Sequence, residues 1–222
     1  MAKIVFMKTA LLVGASGLVG GFVLNKLLDD AYFSAVTVLS RTPVGIKHPK
    51  LSEIIVNFDK LENYQQLITA DVVFCTLGTT INKAGSQEAF KKVDYEYPLQ
   101  IATFAKQNGA TSFLIISALG ASTHSLFFYN KVKGAIEDAI AKLNFKQFHI
   151  LQPSLIIGNR KEKRTGEDIA QKLSPIFNSI MIGNLGKYKA ITAEQIAKAM
   201  VYYAKQDTLG TLRHHSGELQ KI

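Results

Sequence analysis

The first 150 residues alternate between short apolar runs rich in β-branched residues and longer segments with helical spacing. The apolar runs are TALLVG (9–14), AVTVLS (35–40), SEIIVNF (52–58), DVVFCTLG (71–78), SFLIIS (112–117) and FHILQP (148–153). Helical spacing covers residues 18–30, about 86–107 and 127–140. Continuous apolar strands between amphipathic helices are typical of a parallel sheet that is covered on both faces. The alternation therefore predicts an α/β fold with a doubly wound parallel sheet.

The alternation weakens after Pro153, where a charged loop and scattered glycines follow. We find no internal repeat and no linker composition, so we expect a single domain over residues 1–222. Its core would span about 7–153, and a small irregular C-terminal lobe over about 154–222 would shape a substrate site.

Two segments of that lobe carry their own predictions. Residues 192–206 have helical spacing, and Thr192 followed by Gln195 predicts a capping box at the start of this helix. The segment 158–177 is expected to form a lid over the substrate. At the other end of the chain Met7 resembles a natural start, which makes residues 1–6 an extension outside the fold.

Composition narrows the class of protein. The 222 residues are 47% hydrophobic and 19% charged, which is typical of a globular chain that buries a core. The single cysteine, Cys75, rules out an intramolecular disulfide and fits a reducing compartment, and its apolar neighbours predict a buried thiol. No stretch has eighteen consecutive apolar residues, so we expect no membrane span. From these features we predict a cytoplasmic location.

The formal net charge of +9 raises the question of nucleic acid. The basic residues are spread along the chain, and the one cluster, NRKEKRTGE at 159–167, contains two glutamates and no aromatic residue for base stacking. A solvated loop is the better interpretation, and nucleic-acid binding is not expected. The excess of positive charge suits an anionic cofactor or substrate.

The histidines do not predict a metal site. None of them stands at metal-ligand spacing from a carboxylate or from the cysteine, and the adjacent pair at 214 and 215 fits a strand or a tail better than a ligand pair. The five are His48, His124, His149, His214 and His215.

The segment VGASGLVGG joins the first predicted strand to the first predicted helix. Glycines at 14, 17 and 20 give the spacing in which one permits a tight turn, one the approach of a pyrophosphate, and one close helix–strand packing. The start of the helix presents free N–H groups to the phosphates. The segment therefore predicts a Rossmann-like dinucleotide site, whose contact residues are Gly14, Ser16, Gly17, Leu18, Val19 and Gly20.

The end of the second predicted strand indicates which dinucleotide is preferred. A Rossmann site for NAD places an acid here for the ribose hydroxyls, whereas a site for NADP can place an arginine near the 2′-phosphate. This chain has Arg41 and Thr42, with no acid beside them. A guanidinium can bind a phosphate through paired hydrogen bonds, so we predict NADP(H) as the cofactor.

Six motifs, in this order and rough spacing, make the chain resemble the short-chain dehydrogenase/reductase superfamily in its atypical, extended form. They are GASGLVG, SRT, CTLGTT, IISALGAS, YNKVKG and LQPSLIIG. Within that superfamily the chain is similar to the oxidoreductase-like proteins related to the Tat-interacting protein. The likeness covers nearly all of the chain from Met7 and is specific for the superfamily, much less for a substrate.

The resemblance implies the functional residues. Tyr129 and Lys133 would be the catalytic pair and would also contact the cofactor, and Ser117 would polarise a substrate carbonyl. Further cofactor contacts would come from the end of the fourth strand and from the segment beneath the nicotinamide, at Thr76, Leu77, Gly78, Pro153 and Ser154.

Chemistry supports the pair independently of the resemblance. Tyr129 and Lys133 stand four residues apart in a predicted helix and so share one face. A free phenol, with a pKa near 10, is a poor acid–base group at neutral pH, and an ammonium one turn away favours the phenolate. Lysine also has enough donors to bind ribose hydroxyls.

We predict an NADPH-dependent oxidoreductase of the carbonyl reductase or alcohol dehydrogenase type; an NADP(H)-binding regulatory or scaffold protein is the alternative.

Some assignments stay open at this point. Many relatives have a serine pair where this chain has Ser117 and Ala118, so Ser122 or a backbone donor is an alternative to Ser117. The helix beginning near Ser86 lacks the relay asparagine of many members, and Asp94, although close by, is left unassigned. Asp59 fits either an adenine contact or a turn.

The expected partner is an unidentified small-molecule substrate. A homodimer through the helix that carries Tyr129, or another protein partner, is compatible with the sequence.

Overall fold

The central sheet is parallel throughout and contains seven strands in the part of the chain that the structure describes. The structure is a computed structural model that describes residues 7–158 and 188–222. The strands are β1 (Lys8–Val13), β2 (Phe33–Ser40), β3 (Leu51–Ile55), β4 (Val72–Cys75), β5 (Ser112–Ile116), β6 (Gln147–Gln152) and β9 (Gly210–His215). Their order is β3-β2-β1-β4-β5-β6-β9. The predicted doubly wound, Rossmann-like α/β fold is confirmed.

Helices cover both faces of this sheet, as the alternation predicted. They are α1 (Leu18–Asp29), a kinked 3₁₀ helix (Phe58–Leu67), α2 (Ile81–Ala84), α3 (Gln87–Lys91), a π-helical turn (Lys92–Glu96), α4 (Tyr97–Gln107), α5 (Phe128–Ala141), α6 (Ala193–Ala204) and α7 (Ser216–Leu219). Two short strands, β7 (Ile156–Ile157) and β8 (Ile191–Thr192), pair separately from the main sheet.

Alternate residues of β1 face the two sides of the sheet. Ala10 and Leu12 pack into the core under α1 and α6, whereas Leu11 and Val13 pack into the core under α4 and α5. Strands β4 and β5 are buried along their whole length, while β3 at one edge is largely accessible. Buried strands with no polar face explain why the apolar runs are continuous.

The core does not end at Pro153, where the sequence interpretation placed its boundary. Strand β9 pairs with β6 in parallel from Gln147↔Gly210 to Gln152↔His215, and α6 packs against α1. The signal for β9 was weak because an edge strand keeps exposed polar residues, here Thr211 and Arg213. The proposed lid (158–177), the charged loop (159–167) and the N-terminal extension (1–6) lie outside the described residues, apart from Gly158.

Helix boundaries agree with the sequence signals at some ends and differ at others. Thr192 caps α6 by accepting from the Gln195 N–H at 3.1 Å, but the Gln195 amide donates to the carbonyl of Leu219 at 3.0 Å, so only half of the capping box forms. Strand β3 stops at Ile55, before the predicted 58, because Asn57 caps the 3₁₀ helix.

The helix predicted from Ser86 to Gln107 is interrupted. Ser86 caps its start, accepting from the Ala89 N–H at 3.1 Å, but the π-helical turn lies between α3 and α4. Widened turns of this kind occur frequently at functional sites. Here the turn carries the buried Asp94.

Candidate active site

The strand order reverses between β1 and β4, which lie side by side at the centre of the sheet. In open α/β sheets a ligand crevice lies outside the carboxyl ends of the strands at such a switch point. The glycine segment follows β1, Thr76 to Gly78 follow β4, and Ser117 follows β5. The fold therefore brings the motifs that the sequence singled out to one edge of the sheet.

Two glycines of the turn are required by close contacts. Gly14 has φ +91°, and a Cβ on it would lie 2.8 Å from the carbonyl carbon of Thr76. A Cβ on Gly20 would lie 2.0 Å from the carbonyl oxygen of Gly14. Gly17 closes the turn with an N–H donated to that same oxygen at 2.9 Å. These contacts leave a cradle that only a chain without side chains at these points can form.

Helix α1 opens directly behind the cradle. Its N-cap is Gly17, no side chain caps its first N–H groups, and no acidic residue lies in its first turn. This arrangement fits the pyrophosphate of a dinucleotide. Ser16 is exposed and Leu18 half-buried, whereas the Val19 side chain packs in the core, so any contact from Val19 would come from its backbone.

The end of β4 supports the cradle from below. The Thr76 hydroxyl and N–H both donate to the carbonyl of Val13, each at 2.9 Å. Leu77 is half-buried and Gly78 is exposed. Thr76 therefore holds β1 and β4 together under the turn, a role that the sequence did not predict.

Arg41 and Thr42 are both exposed just beyond β2. Among the described residues Arg41 has no ion pair, so its guanidinium is free to meet an anion. The neighbouring Ser40 hydroxyl donates to the Thr42 carbonyl at 2.8 Å and shapes this bend.

Tyr129 lies in the first turn of α5, where Phe127 is the N-cap residue. Its half-buried ring packs against Phe90 of α3 with centroids 5.5 Å apart. Its hydroxyl makes no hydrogen bond within residues 7–158 and 188–222. The phenol is therefore held by its ring while its oxygen stays available.

Lys133 is one turn further along α5 and is almost completely buried. Its Nζ lies 2.6 Å from Asp94 Oδ1, with the two side chains 5% and 0% exposed, and 3.5 Å from the carbonyl oxygen of Ile116. Burial alone would lower the pKa of Lys133, but the Asp94 carboxylate and the nearby Tyr129 raise it above its ordinary value. Lys133 is thus held as an ammonium.

Asp94, which the sequence analysis left unassigned, is the partner of Lys133. Its Oδ2 accepts from the Thr79 N–H at 2.9 Å, while Oδ1 meets the Lys133 ammonium and no other donor in the described part of the chain. A Cβ placed on the exposed Gly78 would lie 3.5 Å from Oδ1, so the pair lies just beneath the surface of the crevice. The one sequence signal for Asp94 was its position, close to the place where many members of the superfamily have a relay asparagine.

Ser117 follows β5 near this pair, but its side chain has another partner. It is buried, and its hydroxyl donates to Glu137 Oε1 at 2.5 Å. Glu137 also accepts from the Gln152 amide at 2.8 and 3.0 Å and from Arg213 Nε at 3.1 Å. Since its proton is engaged by Glu137, Ser117 holds β5 to α5 in this arrangement and is not free to polarise a substrate carbonyl. Nothing in the local sequence identifies Glu137 as its partner.

The alternative hydroxyl, Ser122, is half-buried in the loop that crosses α5. Its N–H donates to the Asn130 carbonyl at 3.0 Å and its Oγ accepts from the His124 N–H at 3.2 Å. Because Oγ acts here as an acceptor, the Ser122 proton stays available for a substrate.

The segment expected beneath the nicotinamide is tied to the C-terminal part of the chain. Pro153 is buried and its carbonyl accepts from the Leu119 N–H at 2.9 Å. The Ser154 N–H donates to Ser216 Oγ at 2.8 Å, and its hydroxyl donates to the Lys189 carbonyl. Strand β9 and helix α7 therefore help to position this wall of the crevice.

Asp59 is engaged by protein groups. Its Oδ1 accepts from the Tyr97 hydroxyl at 2.5 Å and lies 2.6 Å from Lys92 Nζ. Burial and the bond to Asp59 raise the pKa of Tyr97 to about 12. The sequence left two interpretations of Asp59, an adenine contact or a turn residue. Because its carboxylate already meets Tyr97 and Lys92, the structure favours the turn residue.

Three further predictions concern groups outside the crevice. Cys75 is fully buried, and burial raises the pKa of its thiol to about 11. Within the described residues no group of histidine, cysteine and carboxylate side chains is arranged to hold a metal ion. Among those same residues no helix is long and apolar enough to cross a membrane.

The fold and the glycine cradle are those of a Rossmann-like, doubly wound α/β protein. This chain belongs to the HIM1 family, whose sequence profile matches residues 43–189. Protein HTATIP2 of Rattus norvegicus is 35% identical over 169 residues, covering 74% of this chain and 69% of the relative. Protein FMP52, mitochondrial, of Candida albicans is 32% identical over 208 residues, covering 91% and 90%. The resemblance inferred from the six motifs is confirmed.

Solved structures share the fold at low sequence identity. A UDP-N-acetylglucosamine 4-epimerase from Methanobrevibacter ruminantium superimposes with a TM-score of 0.70 at 17% identity, covering 94% of this chain and 76% of that one. WbmH of Bordetella bronchiseptica, solved in complex with NAD⁺, gives 0.69 at 17% identity over 97% and 78%. These likenesses extend over the cradle and the sheet, and they establish the architecture.

The predicted cytoplasmic location is wrong. Several relatives from different fungi carry the name FMP52, mitochondrial, which conflicts with a purely cytoplasmic assignment. The prediction rested on a single cysteine and the lack of an apolar span, and neither feature distinguishes one reducing compartment from another.

Proposed function

We propose that this protein is an NADPH-dependent oxidoreductase of the carbonyl reductase or alcohol dehydrogenase type, with Tyr129 as acid–base and Lys133 as its partner. The observation that carries the proposal is the placement of both side chains. One phenol with an available oxygen and one buried ammonium lie a turn apart on α5, at the same edge of the sheet as the glycine cradle. A structural helix face has no need of a buried lysine there, since such burial is costly.

The residues present fit the dinucleotide, and each would have a separate task. The cradle from Gly14 to Gly20 and the start of α1 would hold the pyrophosphate, while Thr76 to Gly78 would line the path toward the nicotinamide. When bound, the nicotinamide supplies or accepts the hydride. The Tyr129 hydroxyl donates its proton to the carbonyl oxygen as the carbonyl carbon is reduced, and water then returns a proton to the phenolate. The product is an alcohol, and the reverse sequence oxidises one.

Preference for NADP(H) over NAD(H) is part of the proposal. Arg41 supports it, being exposed, free of an ion pair in the described part of the chain and followed by no acid. Several structural neighbours were solved with NAD, so the fold itself does not decide between the two cofactors.

A binding titration tests the cofactor separately from turnover. Protein fluorescence or calorimetry should give tighter binding of NADPH than of NADH by about tenfold or more, the value of one charge-assisted phosphate contact. Arg41→Ala should remove this difference by weakening NADPH alone, and Lys47→Ala, an exposed cation in the same loop, is the matched control. Equal affinity for both cofactors in the native protein would contradict the preference.

A carbonyl panel tests the chemistry. NADPH consumption with aldehydes, ketones and quinones should fall by about 10²–10⁴-fold in Tyr129→Phe, because the proton donor is lost. NADPH affinity should change by no more than a few-fold in that variant, because the cradle is intact and the ring that packs on Phe90 remains. Residual turnover equal to that of the native protein would exclude Tyr129 as the acid.

One observation favours a second candidate, an NADP(H)-binding regulatory or scaffold protein with little turnover. The hydroxyl of Ser117 is held by Glu137, and the next residue is Ala118, so the usual carbonyl-polarising position is filled by groups that cannot act. NADPH binding without consumption across the panel, and without any effect of Tyr129→Phe, would support this candidate.

A further inference from the structure

The buried ion pair beneath the crevice has a feature that the proposed chemistry does not explain. A lysine that favours a phenolate does so through its net positive charge. Lys133, however, meets a full counter-charge at 2.6 Å, and neither side chain is appreciably exposed. An ammonium and a carboxylate in contact act at a distance as a dipole, so they favour a phenolate less than a lone ammonium would.

The chain places this counter-charge through several separate contacts. Asp94 lies in the π-helical turn between α3 and α4, on a different element from Lys133. The Thr79 N–H fixes its Oδ2 at 2.9 Å, which leaves Oδ1 directed at the lysine. Its Oδ1 meets only the Lys133 ammonium in the described part of the chain. A carboxylate buried with only these two donors is costly to fold, which points to a role in the site.

We propose that Asp94 is a positioning residue that fixes Lys133 beneath Gly78 and balances its charge, so that the site favours donating a proton over removing one. This inference rests on the proposed function, because it concerns the same acid–base pair. A site whose tyrosine keeps its proton is suited to reduce a carbonyl, since reduction consumes the phenol proton. Oxidation of an alcohol begins with the phenolate, which a balanced charge supports less. The optimum for alcohol oxidation therefore lies at higher pH than the optimum for carbonyl reduction.

The direct test measures the ionisation of Tyr129 in the full-length protein without cofactor. The phenolate ultraviolet absorbance is recorded against pH for each variant and for the same variant carrying Tyr129→Phe, and the difference isolates this one tyrosine among eight. Asp94→Asn should lower the pH of half-ionisation by about one unit, because the charge of Lys133 is then no longer balanced. An unchanged midpoint overturns the proposal.

Glu137→Gln is the matched control. It removes another buried carboxylate that packs against the same helix core, so its effect on packing should be comparable. Glu137 lies eight residues from Tyr129 along α5, about 12 Å along the axis, and should leave the midpoint within a few tenths of a unit. A shift as large as that of Asp94→Asn would mean that general loosening of the fold moves the titration, and it would overturn the assignment to Asp94.

A second pair of variants covers the case in which Asp94→Asn does not fold. In Lys133→Met the carboxylate faces Tyr129 without its cation, and in Lys133→Met/Asp94→Asn both charges are absent. Tyr129 should ionise at a lower pH in the double variant than in the single one. Equal midpoints would show that the charge of Asp94 does not reach the phenol, and the proposal would fail.

Turnover then separates this inference from the proposed function. If the protein reduces carbonyls, Asp94→Asn should move the optimum for alcohol oxidation to lower pH by about one unit, in step with the titration of Tyr129. If the titration of Tyr129 shifts but the protein turns over no substrate, the charge balance is supported and the enzymatic function is rejected. If the protein turns over substrate but the titration does not shift, the enzymatic function is supported and the role of Asp94 is rejected.

Discussion

Helix α5 buries two charged side chains one turn apart, Lys133 and Glu137, and they are neutralised in different ways. Lys133 meets one carboxylate, Asp94, which is itself buried and has one further donor in the described part of the chain, the Thr79 N–H. Glu137 accepts from Ser117, from Gln152 and from Arg213. The first cluster is an ion pair with few supporting donors, and the second is a carboxylate with its acceptors satisfied.

This difference in hydrogen bonding indicates that the two clusters have different roles in the molecule. A buried carboxylate surrounded by donors joins the elements that carry them, here β5, β6, β9 and α5, and contributes to a unique core. A buried ion pair with few donors gains little or nothing over an apolar replacement, so stability does not account for it. This comparison supports the proposed role of the Lys133–Asp94 pair in the site and assigns the Glu137 cluster to the packing of the fold.

Removing one member of the ion pair should have the largest effect on stability. Lys133→Met leaves Asp94 buried without its cation and should lower the free energy of unfolding by about 3–5 kcal/mol. Lys133→Met/Asp94→Leu should recover most of that loss, since no unpaired charge remains. Urea unfolding of both variants near pH 7.5 measures the difference. A double variant that is no more stable than the single one would show that the ion pair itself stabilises the fold, as the Glu137 cluster does.

Protonation of His149 should have the next largest effect on the free energy of unfolding. It also sets the pH range in which the stabilities of variants can be compared. Burial, with a smaller contribution from His214, lowers the pKa of His149 to about 4. The unfolded chain, with a histidine pKa near 6.5, binds more protons between pH 4 and 6.5. Stability should therefore be fully present above pH 6.5 and decline by about 3 kcal/mol as the pH falls to 4.

The groups that face His149 allow a controlled measurement. His214 Nε2 lies 3.0 Å from its Nδ1, Thr208 Oγ1 lies 3.2 Å from its Nε2, and Tyr203 stacks on the ring. His149→Gln should flatten the pH dependence of urea unfolding between pH 4 and 6.5, whereas the exposed His124→Gln should not. A slope that persists in His149→Gln would assign the decline to other groups.

Removing the charge of Glu137 should have a moderate effect on stability and a small one on activity. Glu137→Gln keeps the shape but weakens its bonds to the three donors, at a cost of about 2 kcal/mol. Reductase kcat/KM should stay within a few-fold of the native value, because Glu137 lies about 12 Å from Tyr129 along the axis of α5. A loss of activity as large as that of Tyr129→Phe would show that the Glu137 cluster belongs to the same site as Lys133 and Asp94.

Arg213 should contribute least. Its side chain is 44% exposed, and Glu137 keeps its bonds to Ser117 and Gln152 when the arginine is removed. Arg213→Ala should cost no more than about 1 kcal/mol in urea unfolding, and added salt should reduce even that difference. A cost above that of Glu137→Gln would show that the arginine holds β9 to the sheet.

The sequence predicted the features that depend on neighbouring residues. Alternating apolar runs predicted the sheet because buried parallel strands need apolar side chains on both faces, and the glycine spacing predicted the turn because contacts such as Gly20 with Gly14 are short in sequence. The spacing of Tyr129 and Lys133 placed them on one helix face for the same reason.

Other features were missed because they join distant segments. Asp94 and Lys133 are 39 positions apart in the sequence, and nothing local distinguishes Asp94 from other helix carboxylates. The π-helical turn that carries Asp94 interrupts a pattern that otherwise reads as continuous helix. Strand β9 escaped notice because it lies at the edge of the sheet, where polar residues remain exposed.

The sequence by itself therefore determined the class of fold, the glycine cradle and the spacing of Tyr129 and Lys133, because each follows from local periodicity and local steric limits. Only the tertiary structure decided which partners the buried charges meet. It gave Lys133 the carboxylate of Asp94 and gave Ser117 to Glu137. Such pairings depend on which elements the sheet order brings together, and burial makes the choice of partner matter, since a charge removed from water must be balanced where it lies.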